Sequence, residues 1–152
     1  AFTAEGLRAF RGIRRRFEHS GTFNGADVIA DYAHHPREIA AALATAREIC
    51  GGRLFVIFQP HTYSRTRLLF GDFLSVLSGV PDLVIYKTFA AREYFDAEGS
   101  ALTLAEHLPN SLYAETTREL AIYLECSVRA GDTVLFLGAG DIYTVACRLV
   151  RC

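Results

Sequence analysis

The sequence predicts an α/β fold. It is a three-layer sandwich in which helices cover both faces of a mostly parallel sheet of about six strands. Short apolar runs of strand length alternate with segments of helical periodicity along the 152-residue chain. Such repeated units imply a parallel sheet with helices on both sides. A chain of this length fits one domain and can bury roughly 70% of its unfolded surface, so it needs no cross-links.

The elements of the first half follow from apolar spacing and from helix-start and helix-stop signals. Pro36 suits the first turn of a helix, Glu38 adds favourable negative charge there, and Gly51-Gly52 ends the helix. Ser20-Gly21 or Asn24-Gly25 is the expected turn after an upstream edge strand. The predicted elements are an edge strand at 14–19, a strand at 28–30, a helix at 36–49, a strand at 54–58 and a helix at 65–77.

The second half repeats the alternation. Ser100 can cap a short helix that follows a polar loop over residues 88–99. Gly138-Ala139-Gly140 leads from the last strand into a closing helix, with Asp141 as the expected cap. The predicted elements are a strand at 83–86, a helix at 100–107, a strand at 112–114, a helix at 117–128, a strand at 133–137 and the closing helix.

Composition narrows the classes of function. The net charge of −1 argues against a nucleic-acid partner. The basic run Arg14-Arg15-Arg16 is interpreted as a solvated surface, with an anion contact as the alternative. There is no signal peptide and no apolar run of about 18 residues, so no membrane partner is expected. Four cysteines without CxxC spacing argue against a zinc site and favour reduced thiols in a cytoplasmic protein.

The sequence also hints at a larger parent protein. It begins at Ala1 and contains no methionine, whereas a complete translation product starts with methionine unless the residue is removed. We therefore expect this chain to be a domain excised from a longer protein.

Polar side chains that suit a ligand follow the first internal strand, in Asp31-Tyr32-Ala33-His34-His35-Pro36. The carboxyl edge of a parallel sheet is where open α/β folds bind ligands, and the first N–H groups of the next helix attract anions. Asp31 can accept hydrogen bonds from a ribose or orient a histidine. Tyr32 and His34 are further ligand candidates, whereas His35 is expected to cap the helix or to face solvent.

A second cluster follows the strand at 54–58. Four side chains that can bind a small anion gather there within seven residues: His61, Tyr63, Arg65 and Arg67. A guanidinium binds a carboxylate through two parallel hydrogen bonds. Because Arg65 and Arg67 lie two residues apart on a helix, they face different directions, and we expect one of them to be structural. Together, the two loops predict a shared site for a small anionic ligand.

Other motifs weigh against alternative sites. Gly138-Ala139-Gly140 looks like the start of a dinucleotide fingerprint, but Tyr143 occupies the third glycine position. We interpret it as a tight turn beside the site. The chain contains no G-x-x-x-x-G-K-[ST] motif and so has no phosphate-binding P-loop of its own. Arg92-Glu93 is expected to form an exposed ion pair, with a lid or rim role as the alternative.

The two loops resemble the C-terminal domain of the Mur ligases, and most closely the family members that add L-alanine. The resemblance rests on Asp31-Tyr32-Ala33-His34-His35-Pro36 with Glu38, and on Phe58-Gln59-Pro60-His61 with Tyr63, Arg65, Thr66 and Arg67. It implies a Rossmann-like fold. Residues 1–25 would be the remnant of an interdomain junction plus the edge strand, and residues 26–152 the C-terminal domain.

The resemblance further implies a cytoplasmic, three-domain, ATP-dependent enzyme of peptidoglycan synthesis that joins L-alanine to UDP-N-acetylmuramate. ATP and Mg²⁺ would be its cofactors, held mainly by a central domain with the P-loop, while an N-terminal domain binds the UDP-sugar. The partners of this chain would be those two domains. The isolated chain is expected to hold no cofactor and to be inactive.

Carried over residue by residue, the resemblance assigns Asp31 to the ATP ribose. It assigns Tyr32, His34 and His61 to the L-alanine pocket and Arg65 to the carboxylate of L-alanine. No catalytic or metal-binding residue is expected within this chain alone.

The chain also departs from the family pattern. Thr62 stands where many members have a second basic residue, so carboxylate binding is expected to depend more on Arg65. Ala30 replaces the first aspartate of the usual Asp-Asp-Tyr, and residues 90–95 differ from the commoner proline-containing loop. The alternative function is a non-catalytic module that binds a small carboxylate or regulates a partner.

Overall fold

Six strands form one sheet in the computed structural model, which describes residues 15–150. The strands are β1 (Glu18–Phe23), β2 (Ala26–Asp31), β3 (Leu54–Phe58), β4 (Asp82–Tyr86), β5 (Ser111–Ala114) and β6 (Thr133–Leu137). The helices are α1 (Pro36–Ile49), α2 (Tyr63–Leu68), α3 (Phe70–Leu77), α4 (Ala101–Glu106), α5 (Thr117–Ser127) and α6 (Ile142–Leu149), with a 3₁₀ turn at Ala97–Gly99. The predicted α/β sandwich is confirmed. None of the helices described has the length and apolar composition needed to cross a bilayer.

The strand order is β1-β2-β6-β3-β4-β5. β1 runs antiparallel to β2, and the other neighbouring strands pair in parallel. β6 inserts between β2 and β3, where Leu137 aligns with Asp31 on one side and with Phe58 on the other. The carboxyl ends of β2, β6 and β3 therefore meet at one edge of the sheet. In open α/β sheets, ligands bind in the crevice at the point where the strand order reverses, and the insertion of β6 creates such a point here.

The central strands are buried on both faces, which makes that edge a rigid platform. On β3, Phe55 and Ile57 belong to the core layer beneath α5 and α6, whereas Phe58 belongs to the layer beneath α1, α3 and α4. The rings of Phe58 and Phe73 lie 5.3 Å apart between centroids. Burying a side chain of this size contributes about 1.5–3 kcal/mol. The loops that follow β2 and β3 thus start from fixed points.

The edge strand lies further along the chain than predicted. β1 spans Glu18–Phe23 rather than 14–19, and Arg14 lies outside the described residues. Ser20-Gly21 is not a turn but part of a bulge, with the register shifting between His19 and Gly21. The turn is Asn24-Gly25, where both residues have positive φ (51° and 79°), as a tight hairpin turn requires. Residues 15–25 therefore contribute a strand to the same sheet.

The helix predicted over 65–77 is two helices. It begins at Tyr63 and is interrupted at Leu69, whose φ of −106° and ψ of 20° are not helical. Apolar spacing continues across the break, since Leu69 packs against the same core as the buried Phe73 and Leu77. Periodicity alone therefore could not reveal an interruption of one residue. The break leaves α2 as a six-residue helix at the carboxyl edge of the sheet.

Candidate functional site

The loop after β2 caps the start of α1 with its own side chains. Nδ1 of His35 accepts a hydrogen bond from the Arg37 N–H (3.3 Å), and the Glu38 carboxylate accepts from the N–H groups of His34 (3.1 Å) and His35 (3.3 Å). This arrangement is a capping box, with Pro36 at the start of α1. The expected capping role of His35 is confirmed. His34 therefore remains as the ligand candidate of the histidine pair.

The His34 ring is held in one orientation. Its Nδ1 lies 3.0 Å from the Tyr32 carbonyl oxygen and 3.4 Å from the Glu38 carboxylate. Both partners are acceptors, so we assign the proton to Nδ1, and in the neutral ring Nε2 then carries a lone pair. Burial of Glu38 opposes its ionisation, but the hydrogen bond from the His34 amide and the nearby His34 charge outweigh this effect and lower the Glu38 pKa. Glu38 is thus a stable, ionised support for His34.

Gln59, at the start of the loop after β3, joins three loops. It is 1% exposed. Its Nε2 donates to the Asp141 carboxylate (2.7 Å) and to the Lys87 carbonyl (3.3 Å), and its Oε1 accepts from the Ile142 N–H (3.1 Å). Asp141 is the N-cap residue of the last helix, as predicted, but its side chain makes no capping hydrogen bond. The Asp141 carboxylate instead accepts from Gln59, and Oε1 of Gln59 accepts from the Ile142 N–H at the start of the helix.

His61 lies between an aromatic ring and a guanidinium. Its ring stacks on that of Phe89, with centroids 5.4 Å apart and planes at 29°. Its Nδ1 lies 3.4 Å from Nη1 of Arg65, which can only donate, so we assign the proton of the neutral ring to Nε2. Burial, with the positive charges of Arg65 and His34, lowers the pKa of His61 below its ordinary value. The ring is therefore neutral near pH 7.

Thr62 turns the chain from His61 into α2 through a strained conformation. Its φ of 70° and ψ of 144° lie in a region that only glycine adopts readily. Such a residue costs on the order of 1–3 kcal/mol and persists only where its surroundings fix it. The Thr62 N–H donates to the Phe89 carbonyl (2.9 Å), and the buried Thr66 hydroxyl donates to the Thr62 carbonyl (2.8 Å). The resulting turn brings Arg65 back beside His61.

The two arginines of α2 have different surroundings, as predicted. Arg67 lies 3.0 Å from the Asp96 carboxylate and 4.0 Å from that of Glu98, so it is engaged in the structure. Arg65 instead lies beside His61. Arg65 is therefore the arginine that a small anion can approach within this cluster.

Four of the five predicted site side chains come together, and all four are half-buried: Tyr32, His34, His61 and Arg65. The rings of Tyr32 and His34 lie 5.4 Å apart between centroids, and those of His34 and His61 lie 6.0 Å apart. Arg65 completes the row through its contact with His61. This aromatic row with a guanidinium at one end offers an apolar surface, two imidazole rings and one cation. Those groups suit a small zwitterion such as an amino acid.

Asp31, the fifth predicted residue, has structural partners. Its carboxylate accepts hydrogen bonds from the N–H groups of Ala33 (2.7 Å) and Phe17 (2.8 Å). It therefore ties the segment before β1 to the loop after β2. Each carboxylate oxygen can accept more than one hydrogen bond, so Asp31 can still accept from a ligand hydroxyl.

The glycine turn after β6 packs against the loops that carry this cluster. Gly138 has a φ of 150° and donates its N–H to the Asp31 carbonyl (3.1 Å). A Cβ on Gly140 would lie 2.5 Å from Oε1 of Gln59 and 2.5 Å from Cγ of Phe89. Only glycine allows this close approach. The interpretation of the turn as a structural element beside the site is confirmed.

Sequence reasoning missed two residues that build the site, Gln59 and Phe89, and it gave Glu93 a rim role only as the alternative to an ion pair. The expected Arg92–Glu93 ion pair is wrong, because the Glu93 carboxylate accepts from the Ser64 N–H (2.9 Å) and from the Ser64 hydroxyl. These bonds lower the pKa of Glu93. Gln59 lies within Phe58-Gln59-Pro60-His61, so the sequence did contain a signal for this residue. No local spacing signals a contact between residues 64 and 93.

The fold and the cluster define a class of protein: a Rossmann-like domain with a row of aromatic side chains and one arginine at the carboxyl edge of its sheet. The family follows from comparison. A family model described as Mur ligase, glutamate ligase domain, matches residues 15–140, and the chain therefore belongs to this family.

The chain is also similar to individual named proteins. It is 43% identical over 150 residues to the UDP-N-acetylmuramate–L-alanine ligase of Lachnospira eligens, a match covering 96% of this chain and 33% of that protein. The crystal structure of UDP-N-acetylmuramate–alanine ligase from Thermotoga maritima superposes with a TM-score of 0.70 at 32% identity, covering 97% of this chain and 31% of that one. The chain thus spans about a third of the length of the curated relatives it matches, and it corresponds to their C-terminal domain.

A more distant structure shares the fold. The bifunctional folylpolyglutamate synthase/dihydrofolate synthase from Yersinia pestis, solved with AMPPNP and a Mn ion, superposes with a TM-score of 0.69 at 18% identity. That match covers 97% of this chain and 33% of the other.

Proposed function

We propose that this chain is the amino-acid-binding domain of an ATP-dependent UDP-N-acetylmuramate–L-alanine ligase. The observation that carries the proposal is the cluster of Tyr32, His34, His61 and Arg65 at the carboxyl edge of the sheet. The names of the relatives support the choice of L-alanine. In the cytoplasm, where ATP is available, such an enzyme would supply a precursor of peptidoglycan.

The proposed pocket holds both ends of L-alanine. The Arg65 guanidinium binds the carboxylate through charge-assisted hydrogen bonds. With a proton on Nδ1, the His34 ring can present the Nε2 lone pair as an acceptor for the amino group, while Tyr32 and His61 form the walls. An amine attacks a carbonyl only in its unprotonated form. A ring nitrogen with a free lone pair can take the proton that the ammonium group loses.

The bond-forming step requires groups that this chain does not contain. ATP supplies the phosphoryl group that activates the muramoyl carboxylate, and the amine of L-alanine then forms the C–N bond as phosphate leaves and the nitrogen loses a proton. The chain has no P-loop lysine to stabilise phosphoryl transfer. Its contribution is orientation of the nucleophile, which can lower a barrier by about 7–11 kcal/mol once domains close around the substrates.

The donor sets differ in how well they fit the two cofactors. Asp31 keeps acceptor capacity for the hydroxyls of a ribose, so it fits a contact with ATP. Within residues 15–150, no group of three or more His, Cys, Asp or Glu side chains is placed to hold a metal ion. We therefore assign the described residues no step that involves Mg²⁺. The UDP-sugar and central domains are the proposed partners of this chain.

The proposal is tested in a three-domain ligase in which this chain replaces the matching third of the Lachnospira eligens protein. Arg65→Ala should raise the KM for L-alanine by about 10–100-fold, because it removes charge-assisted hydrogen bonds worth about 1.5–3 kcal/mol. The KM for ATP should change less than about twofold. Arg118→Ala, an exposed arginine on α5, is the matched control. Equal rises in both KM values would refute the carboxylate assignment.

A second candidate function is a non-catalytic module that binds small carboxylates. The cluster supports this second function only if it can bind a carboxylate without groups from other domains. Calorimetry of the isolated chain with L-alanine separates the two functions. A ligase domain should bind weakly or undetectably, whereas a binding module should give a Kd in the range of about 10 µM or below.

A further inference from the structure

The loop over residues 88–99 fastens α2 to the sheet. Both oxygens of the Glu93 carboxylate are taken by Ser64, one by its N–H (2.9 Å) and the other by its hydroxyl. Ser64 is the second residue of α2. Glu93 thus satisfies an otherwise unpaired N–H at the helix start and places negative charge there. The contact joins segments 29 residues apart in the sequence.

Three further contacts hold the same loop. The Asp96 carboxylate lies 3.0 Å from Nη1 of Arg67. Gly99 packs so closely on α2 that an added Cβ would lie 2.1 Å from the Tyr63 carbonyl oxygen. At the far end, the Thr88 hydroxyl accepts from the Ala101 N–H (2.8 Å). The loop is therefore anchored at both ends and in the middle.

The short helix needs this support. α2 has six residues, fewer than an isolated helix needs in water, so tertiary contacts must fix its position. Leu68, at its end, is 82% exposed and adds little packing. The preceding Thr62 is strained and is held by the Phe89 carbonyl from the start of the same loop. Glu93 and Phe89 therefore act on α2 and on His61 from one segment.

We propose that Glu93 is a positioning residue for the amino-acid pocket: by binding Ser64 it fixes the start of α2 and so the direction in which Arg65 meets the carboxylate of the amino acid. The inference rests on the proposed role of Arg65. It assigns Glu93 no contact with the substrate. The effect of Glu93 is therefore on amino-acid affinity rather than on ATP.

Glutamine can reproduce the geometry at this position and alanine cannot. In the Glu93→Gln variant, the amide oxygen can accept from the Ser64 N–H, while the NH₂ group can donate to the Ser64 hydroxyl oxygen. This variant thus removes the charge and keeps both hydrogen bonds, whereas Glu93→Ala removes both bonds. Glu106→Ala is the matched control, because Glu106 is an exposed glutamate at the end of α4.

The kinetic test uses the three-domain ligase described above. Glu93→Ala should raise the KM for L-alanine about tenfold and leave the KM for ATP within about twofold, since misplacing Arg65 weakens a charge-assisted contact. Glu93→Gln should recover most of the loss, and Glu106→Ala should match the parent. Unchanged KM for L-alanine in a folded Glu93→Ala enzyme would overturn the inference. So would equal rises in both KM values.

A second measurement on the 152-residue chain separates failure of this inference from failure of the proposed function. Glu93→Ala should speed hydrogen exchange of the Ser64 amide at least about tenfold, because its acceptor is lost. If the ligase carrying the unsubstituted chain does not use L-alanine, the proposed function fails, and the inference fails with it. If that ligase uses L-alanine and Ser64 exchange is unchanged in Glu93→Ala, only the inference fails.

Discussion

The two loops of the candidate site are built in opposite ways. The loop after β2 builds its helix cap locally: His35 and Glu38 cap α1 with groups that lie within four residues of the N–H groups they bind. The loop after β3 depends on distant segments. Gln59 is bonded to residues 87, 141 and 142, and Ser64 is bonded to Glu93. Thr62, between them, is strained.

This difference separates two tasks at one site. The first loop fixes His34 by local chemistry, so it should keep its shape when the rest of the edge is disturbed. The second loop places Arg65 and His61 through contacts between β3, β4 and β6, so its geometry depends on the whole edge. Substitutions far from the first loop should therefore affect the second loop selectively.

The largest expected effect comes from closing the space at Gly99. An added Cβ would lie 2.1 Å from the Tyr63 carbonyl, and because a backbone atom is the obstacle, α2 must move. Gly99→Ala should lower the free energy of unfolding by about 2–3 kcal/mol. Urea denaturation measures the loss.

Gly71→Ala is the matched control for this substitution. Gly71 lies in α3 with nothing within 4 Å of its Cβ position, so alanine should be neutral or stabilising by up to about 1 kcal/mol. If Gly99→Ala were as well tolerated as Gly71→Ala, the loop over residues 88–99 would not be packed on α2 as described.

A smaller effect is expected in the first loop. Glu38→Ala removes the acceptor for the His34 and His35 N–H groups and should cost about 1–2 kcal/mol. Because this helix cap is built from local contacts, hydrogen exchange at Ser64 should not change. Faster exchange at Ser64 would show that the two loops are coupled, which would contradict their independence.

Thr62→Gly should have a smaller effect of opposite sign. Glycine relieves the strain of a φ of 70°, and its greater freedom in the unfolded chain offsets part of the gain. We expect a net stabilisation of about 0.5–1 kcal/mol by urea denaturation. His35→Gly, at a φ of −109°, should instead destabilise, because it only removes a cap. Destabilisation by Thr62→Gly would show that the conformation is not strained.

The smallest expected effect is a pH dependence from His61. Burial and the charges of Arg65 and His34 hold its pKa below the ordinary value, so the unfolded chain binds more protons as pH falls through about 6.5. The His61 contribution is therefore fully present above about pH 6.5 and is lost on acidification, with a slope below about 1.4 kcal/mol per pH unit. NMR titration of the His61 ring should give a pKa below about 6.5. A value above that would contradict its described surroundings.

The same division explains what the sequence could predict. The apolar runs and the capping signals around Pro36 and Glu38 predicted β2, α1 and the capping role of His35, because those interactions are local. The break at Leu69 and the position of the edge strand were not predicted, because apolar periodicity persists through a one-residue break and a bulge. The roles of Gln59, Phe89 and Glu93 depend on contacts across 28 or more residues, which spacing does not encode.

The division of labour between this chain and other domains can be measured directly. ATP-dependent formation of UDP-N-acetylmuramoyl-L-alanine is followed for the isolated 152-residue chain and for the three-domain ligase that carries it. The isolated chain should show no turnover, and the three-domain ligase should form product that requires both L-alanine and ATP. Turnover by the isolated chain, or a three-domain ligase whose product does not depend on L-alanine, would contradict the assignment of this chain as the amino-acid-positioning part of the ligase.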